Sequence, residues 1–432
     1  MNKKTYMILF VFCLSCMFFA CKPTPASDPI VNKNEDNLSN DLPVMISAPD
    51  VVTIPANITG NVSVEVDATV HYTSGLVAYT YDTAKYPFRS SILSNLCNYC
   101  SPDCSLYVPW EDTKNEIKEK LSAWMDYSGE GGSFIEESLV KNDIENLQKA
   151  YDSASDSPNL SEYHWPDDAQ ETAVSLYGVS ATGEKAVFKF IYGGNQFSYA
   201  RQNDIYIYPE AALQPQDKAI EEPLISEAHA LEYLKNFLNA FEISDYRVVN
   251  TTKALVLRYG QRQESSWKFT LSREINQTMT ITAFEDVYIS KASLPSVGAP
   301  WSVESLTMII DSKGILSLIW QGASLPSKPV QAHALAFDEI VQRATNQMGY
   351  QYAAMENDGK MLYVKIKDFS LKYAMISRAN NADEAIYVPV WEVTYDRGWD
   401  NADEEWKFYL SALDGSYIEP RVTNRTIQNL GS

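Results

Sequence analysis

Ser226–Asp245, SEAHALEYLKNFLNAFEISD, followed at once by Tyr246–Arg258, YRVVNTTKALVLR, decides the fold class. Ser226 stands where a helix N-cap is wanted, and Leu231, Leu234, Leu238 and Phe241 recur at helical spacing. The next segment changes period: Val248-Val249 and Leu255-Val256-Leu257 lie in a β-branched run that reads as a strand. Further strands are expected at 265–272 and 279–291. Leu306 to Ile310 and Ile315 to Trp320 read as a hairpin about Asp311-Ser312-Lys313-Gly314. The same order then returns. Phe337, Ile340, Val341, Ala344 and Met348 predict a helix over 335–348, stopped by Gly349. Strands follow at 361–376, 386–395 and 405–411, and Asp414-Gly415 marks a tight turn. Segments 224–320 and 335–422 thus each offer one helix followed by antiparallel strands, a weak internal duplication. The class expected is α+β, with repeated units of one helix packed on an antiparallel sheet.

Upstream, Asn61 to His71 alternates, with Val62, Val64, Val66, Ala68 and Val70 on one face, the pattern of a half-buried strand. Thr113 and Glu116 form a capping box ahead of Ile117, Leu121 and Trp124, and Gly129-x-Gly131-Gly132 ends that helix. Ser133 and Glu136 form a second box before Val140, Ile144, Leu147 and Tyr151. The glycines between follow no strand and precede no Gly-Lys-Ser/Thr, so they are a loop and no phosphate cradle. Strands are expected at 173–192, turning at Ala181-Thr182-Gly183, and at 196–208. Polar stretches 152–170 and 209–223 read as connectors. The organisation expected is a leader at 1–20, a tether at 21–45, an N-terminal α+β domain at 46–215, a middle one at 224–325 and a C-terminal one at 335–422.

Asn2-Lys3-Lys4 is a short positive start, and Thr5 to Phe19 is a nearly unbroken apolar run. A helix needs about 20 apolar residues to span a bilayer core, so this run is short for that task. Small Ala20 precedes Cys21, and the whole reads as a cleaved signal peptide whose cysteine accepts a diacylglyceryl group. Phe18 stands where such motifs most often carry Leu, and Cys16 is the rival acceptor. Residues 22–41, KPTPASDPIVNKNEDNLSND, hold too few large apolar side chains to offset their ordering entropy and read as a disordered tether. The chain is expected at the extracytoplasmic face of the cell membrane, anchored by lipid on Cys21 and not threaded through.

The formal charge is −21. Because the leader carries Lys3, Lys4 and no acid, its removal takes that charge to −23. So acidic a surface repels nucleic acid and anionic headgroups, which excludes both as partners of the folded part. The 27 Tyr, 16 Phe and 9 Trp argue instead for well-filled cores. Of the 6 cysteines, those after Cys21 form the triplet Cys97-x-x-Cys100-x-x-x-Cys104. It reads as a disulfide between Cys100 and Cys104 or Cys97 and Cys104, as reduced packing thiols, or as metal ligands short of a fourth donor. No thioredoxin-like βαβ pattern surrounds it.

Catalytic signatures are lacking. His71, His164, His229 and His333 are scattered and read as exposed histidines; no Gly-x-Ser-x-Gly elbow occurs. Asp396, Asp400, Asp403, Glu404 and Glu405 crowd one loop without the spacing of a calcium loop. Carboxylate pairs of the kind that hydrolyse glycosides are not excluded by counting. No metal or other cofactor is expected.

Cys21-Lys22-Pro23-Thr24-Pro25 with Val31-Asn32-Lys33, Val62 to Val70, Ser226 to Asp245, Asp311 to Trp320 and Tyr387-Val388-Pro389-Val390-Trp391 together resemble a family of uncharacterised clostridial (Firmicutes) lipoproteins, known only as a domain of unknown function. The similarity covers most of the chain after the leader, and the cysteine triplet is no part of it. Pro389-Val390-Trp391-Glu392-Val393 with Phe408 to Gly415 is similar to the tail of PepSY-type domains and of extracellular regulators of the cell-wall histidine kinase. Ser411 stands at the position that is acidic or an amide there. That resemblance implies a binding or regulatory module for a protein, peptide or envelope component, without catalytic residues. It makes Trp391 and Tyr409 either binding aromatics or cross-strand core. An envelope hydrolase or carbohydrate-binding lipoprotein is the alternative.

Overall fold

The computed structural model describes residues 45–129, 137–168, 173–193, 195–210, 220–282, 288–290, 303–353, 360–378, 381–399 and 404–418. The expected leader, the expected lipid acceptor Cys21, the expected tether and the Ser133–Glu136 box lie outside them. In chain order the elements begin with β1 (Val51–Thr59), β2 (Val62–His71), β3 (Tyr79–Lys85), α1 (Ser90–Cys100), β4 (Ser105–Tyr107), α2 (Lys114–Gly129) and α3 (Glu137–Ser153). Next come β5 (Ala173–Val179), β6 (Lys185–Ile191), β7 (Gln196–Ala200), β8 (Ile205–Pro209), α4 (Glu227–Ala240), β9 (Tyr246–Arg258), β10 (Gln261–Arg262), β11 (Ser266–Ile275), β12 (Thr278–Met279) and β13 (Tyr288–Ser290). The last stretch holds β14 (Ser305–Asp311), β15 (Gly314–Gln321), β16 (Ser324–Gln331), α5 (Phe337–Ala353), β17 (Leu362–Arg378), β18 (Asn381–Gly398), β19 (Glu404–Ser411) and β20 (Tyr417–Ile418). The class is α+β, mostly antiparallel sheet.

The helix-then-strands plan recurs. After α4, strands β9, β11, β14 and β15 lie side by side in order; after α5, strands β17, β18, β19 and β20 do the same. Ser226 caps α4 as expected, accepting from the His229 backbone N–H at 3.3 Å. Ala230, Leu234 and Phe237 are its fully buried residues, with Leu231, Leu238 and Phe241 partly buried beside them. Thr113 and Glu116 close their box, the Glu116 carboxylate accepting from the Thr113 N–H at 2.8 Å.

The 12-stranded sheet runs β13-β8-β9-β11-β14-β15-β7-β6-β5-β4. β7 and β8 are far apart in that order, yet only residues 201–204 join them, at a place read from sequence as one continuous strand. Five flat strand spacings would separate them by roughly 24 Å, whereas five Cα steps reach at most about 19 Å. The sheet must therefore curl. Its concave face closes on Ala200, Ile205, Ile207, Ala254, Val256, Ile309 and Leu316, drawn from five different strands. The convex face carries the larger core, where α1 and α4 pack on Phe188, Phe190, Phe197, Tyr199, Phe269, Leu271, Met308, Leu318 and Trp320. Further along that face, Trp124 and Tyr127 of α2 and Val140 of α3 cover Tyr206, Leu255 and Leu257.

The 8-stranded sheet runs β1-β2-β17-β18-β19-β20, with β3 paired to both β16 and β18. Strand pairing here runs across the segments expected as separate domains. β2 pairs parallel to β17, setting Val62, Val64 and Val66 beside Leu362, Val364 and Ile366. α5 lies against β2 and buries Phe337, Ile340, Val341, Ala344, Met348 and Tyr352, each large apolar side chain contributing about 1.5–3 kcal/mol. It continues through Gly349 to Ala353. β17 and β18 are 17 and 18 residues long, some three times the usual strand. Their far ends reach the other sheet, where Tyr373 and Tyr387 pack on Ile275 and the Tyr373 carbonyl accepts from the Ile281 N–H at 2.8 Å.

Candidate functional site

Three groupings of polar or reactive side chains stand out, and each traces to the fold just described. The first is a buried carboxylate where the sheets meet. Glu304, 2% exposed, precedes β14. Arg273 of β11 donates to it from Nε at 2.9 Å and from Nη2 at 2.8 Å. Tyr246 of β9 donates at 2.6 Å, the Ser324 N–H at 3.1 Å, and Tyr387 of β18 closes from the other sheet. Trp320 Nε1 in turn donates to the Tyr246 hydroxyl at 2.9 Å. Burial works against the Arg273 charge, but Glu304 outweighs it and keeps the guanidinium protonated. Burial, and then the Glu304 charge, push both tyrosines far above their ordinary range. With its oxygens taken up by these donors, Glu304 serves as a joint between sheets.

A second polar grouping fastens α2 to the curled sheet. Lys185 of β6 lies 2.8 Å from Glu116 and 3.3 Å from Asp112, under the ring of Trp110 at 4.3 Å. Lys120 of α2 lies 2.6 Å from Asp112 and also pairs with Asp204 in the short link between β7 and β8. Burial opposes the Lys120 charge, but Asp204, Tyr259 and Asp112 together raise its pKa.

The third is the cysteine corner. Cys97 and Cys100 lie on the buried face of α1, 3% and 8% exposed, and Cys104 is half-buried at the turn beyond; all three are free thiols. Burial, reinforced by their neighbours, pushes the Cys97 and Cys100 thiols well up. Cys104 is also raised by burial, against hydrogen bonds from Ser101 and its own backbone. Gly178 makes room there: a Cβ on it would come within 2.6 Å of the Phe188 ring and 3.0 Å of the Cys104 sulfur.

An open groove of about 630 Å³ runs between Met45–Pro49 and the first turn of α5. One wall is an extended segment held by Tyr72, whose hydroxyl donates to the Ala48 carbonyl at 2.7 Å, and by the Ile46 N–H on Leu76 O. Ala334 and Phe337 form its buried floor, and exposed His333, Asp338 and Glu339 its rim. The two acids complement the positive end of the α5 dipole. Behind the floor stands Trp391, its ring 4.9 Å from Phe337 and T-shaped against it. Trp391 is 1% exposed and so packs as cross-strand core, shaping the groove without lining it. Tyr409 is half-buried on β19 opposite Glu392, away from the groove.

The remaining residues singled out in the sequence are dispersed. All four histidines are exposed. His71 pairs with Asp368 at 2.8 Å, and His229 stacks on Tyr233. Asp396 and Glu405 both pair with Lys367, at 2.8 and 3.3 Å, while Asp400 and Asp403 lie outside the described residues. Among the described residues no three His, Cys, Asp or Glu side chains are grouped to hold a metal ion. No described helix is long and apolar enough to cross a membrane. Glu304 and Arg273 escaped the sequence reading because their partners are scattered from Asp245 to Tyr387. The signal for α1 was available: Leu93, Leu96, Cys97 and Cys100 follow helical spacing.

No family model and no curated protein matches the chain. Among solved structures, an uncharacterized protein from Eubacterium rectale aligns with 86% of this chain and 94% of its own length, at 12% identity and a TM-score of 0.39.

Proposed function

We propose that this chain is an extracytoplasmic lipoprotein, held on a membrane by lipid at Cys21, whose folded part binds a protein, peptide or envelope component and performs no catalysis. The observation that carries the reading is the order of residues 1–21: a charged start, a short apolar run, a small residue, then cysteine. The polar stretch 22–41 is suited to holding an acidic body away from an anionic bilayer. The groove beside α5 supports the binding half, having an apolar floor and a polar rim of the kind ligand sites use. Radiolabelled palmitate should enter the protein in growing cells, and Cys21→Ser should abolish both the label and recovery with membranes. Equal labelling of the variant would overturn the anchor. A photo-crosslinker placed at Pro49 should then yield a discrete adduct in intact cells; none would count against a groove-bound partner.

A carbohydrate-binding or hydrolytic lipoprotein is the second reading. It is motivated by Trp406 and Tyr417, each 39% exposed near one edge of the 8-stranded sheet, Trp406 beneath the Arg397 guanidinium at 3.9 Å and Tyr417 stacked on Phe408. Cosedimentation with insoluble cell-wall glycan, lost in Trp406→Ala, would favour it.

A further inference from the structure

We propose that Cys100 and Cys104 form a reversible disulfide latch across the end of α1, made and broken by exchange with a disulfide in the surrounding medium. The two residues flank a tight reversal. α1 stops at Cys100, the Ser101 N–H bonds back to Cys97 O at 2.9 Å, and Asp103 takes a left-handed φ of 59°. Cys104 is thereby folded back onto the core that buries Cys100, and its sulfur fills the slot that Gly178 leaves beside Phe188. Tyr199 packs on that same Phe188 ring in a tilted arrangement, centroids 5.1 Å apart, and its buried hydroxyl has no hydrogen-bond partner among the described residues. The corner is thus a sulfur-rich cluster in the core, with one half-buried thiol at its edge.

The pairing follows from backbone geometry. Cys97 and Cys100 are both inside α1, where residues three apart keep their Cβ atoms about 5–6 Å apart. A disulfide needs about 3.5–4.5 Å, so this pair would have to distort the helix. Cys104 stands outside the helix on an irregular turn, which can adjust, and Cys100 is the nearer of its two candidates along the chain. Cys97, 3% exposed, is left as a packing thiol.

The exchange balances without any metal. The Cys104 thiol gives its proton to water and its sulfur attacks one sulfur of a disulfide R–S–S–R. That bond breaks, and one thiolate leaves to be protonated. Cys100 then loses its proton and attacks the Cys104 sulfur of the mixed disulfide, expelling the second R–S group. Two protein thiols are oxidised and one external disulfide is reduced to two thiols. Since Cys100 is buried, the second step waits on fraying of the last turn of α1. The latch is therefore slow in the folded protein.

An oxidant outside the cell rests on the anchored placement proposed above, but the bond itself is testable in any compartment. The intact protein, isolated reduced, is incubated under native conditions with oxidised glutathione, quenched with N-ethylmaleimide and mapped by peptide mass spectrometry. The expected result is a Cys100–Cys104 linked peptide, reversed by reduced glutathione, with Cys97 alkylated only after unfolding. Mild urea should speed closure, and Cys97→Ser should leave it unchanged. Three alkylated thiols at every glutathione ratio, or a bond that includes Cys97, would overturn the proposal. Neither result bears on the palmitate experiment, so the two readings fail separately.

Discussion

Arg273 holds Glu304 with two parallel hydrogen bonds, at 2.9 and 2.8 Å, in a site where both side chains are at least nine-tenths buried. Tyr387 reaches the same carboxylate from the other sheet. Removing the charge leaves a guanidinium whose remaining acidic partner is the half-exposed Asp245. Breaking a buried pair from one side costs about 3–5 kcal/mol. Glu304→Gln should therefore lower unfolding stability by about 3 kcal/mol in urea titration, whereas Tyr387→Phe, which removes one hydrogen bond to the carboxylate and keeps the ion pair, should lose about 1.5–2 kcal/mol. Equal small losses would show that Glu304 is not the joint between the sheets.

Trp391→Ala should unfold the protein more readily, by about 3–5 kcal/mol, because the ring is 1% exposed and packs on Phe337 and Tyr72. Trp391→Phe should lose less. Were Trp391 a binding surface, Trp391→Ala would keep its denaturation midpoint and lose only a ligand. Chemical denaturation separates the two.

What was legible from the residues was local. The alternation of β2, the box at Thr113 and Glu116, the cap at Ser226 and the hairpin at Asp311–Gly314 are all carried by neighbours in sequence. The helix-then-strands repeat was legible for the same reason. The parallel pairing of β2 with β17 was not, because nothing in Val62–His71 names a partner from the far end of the chain. α1 has helical apolar spacing but no start signal in the residues, because its N-cap is Arg89, which makes no side-chain cap. The walls of the groove come from residues 45–49 and 333–339, which only the tertiary fold brings together.

Gly349 was expected to end its helix, yet α5 runs on to Ala353. The atoms nearest a Cβ there belong to Thr59, at 3.8–3.9 Å, ordinary contact. Glycine inside a helix is less stable than alanine by roughly 0.5–1 kcal/mol. Gly349→Ala should accordingly raise the thermal midpoint. A fall would mean that the last turn needs the freedom of glycine.

Glu116 gives the fold an acid-sensitive joint. Burial raises its pKa, but hydrogen bonds from Lys185 and Thr113 and the Lys185 charge outweigh that and hold it below the usual carboxylate range. A carboxyl whose pKa is depressed on folding stabilises the protein fully above its unfolded value, about 4.3, and loses that contribution as pH falls through the lower folded value. Wild type should therefore lose stability between about pH 5 and 2 by an increment that Glu116→Gln lacks. At pH 7 the variant should be the weaker of the two. Denaturation midpoints collected across that range measure the difference, and parallel curves for the two proteins would refute the assignment. Lys185 also carries the Trp110 ring and Asp112, so the same acid step should loosen α2 from β6 and appear as a change in tryptophan fluorescence.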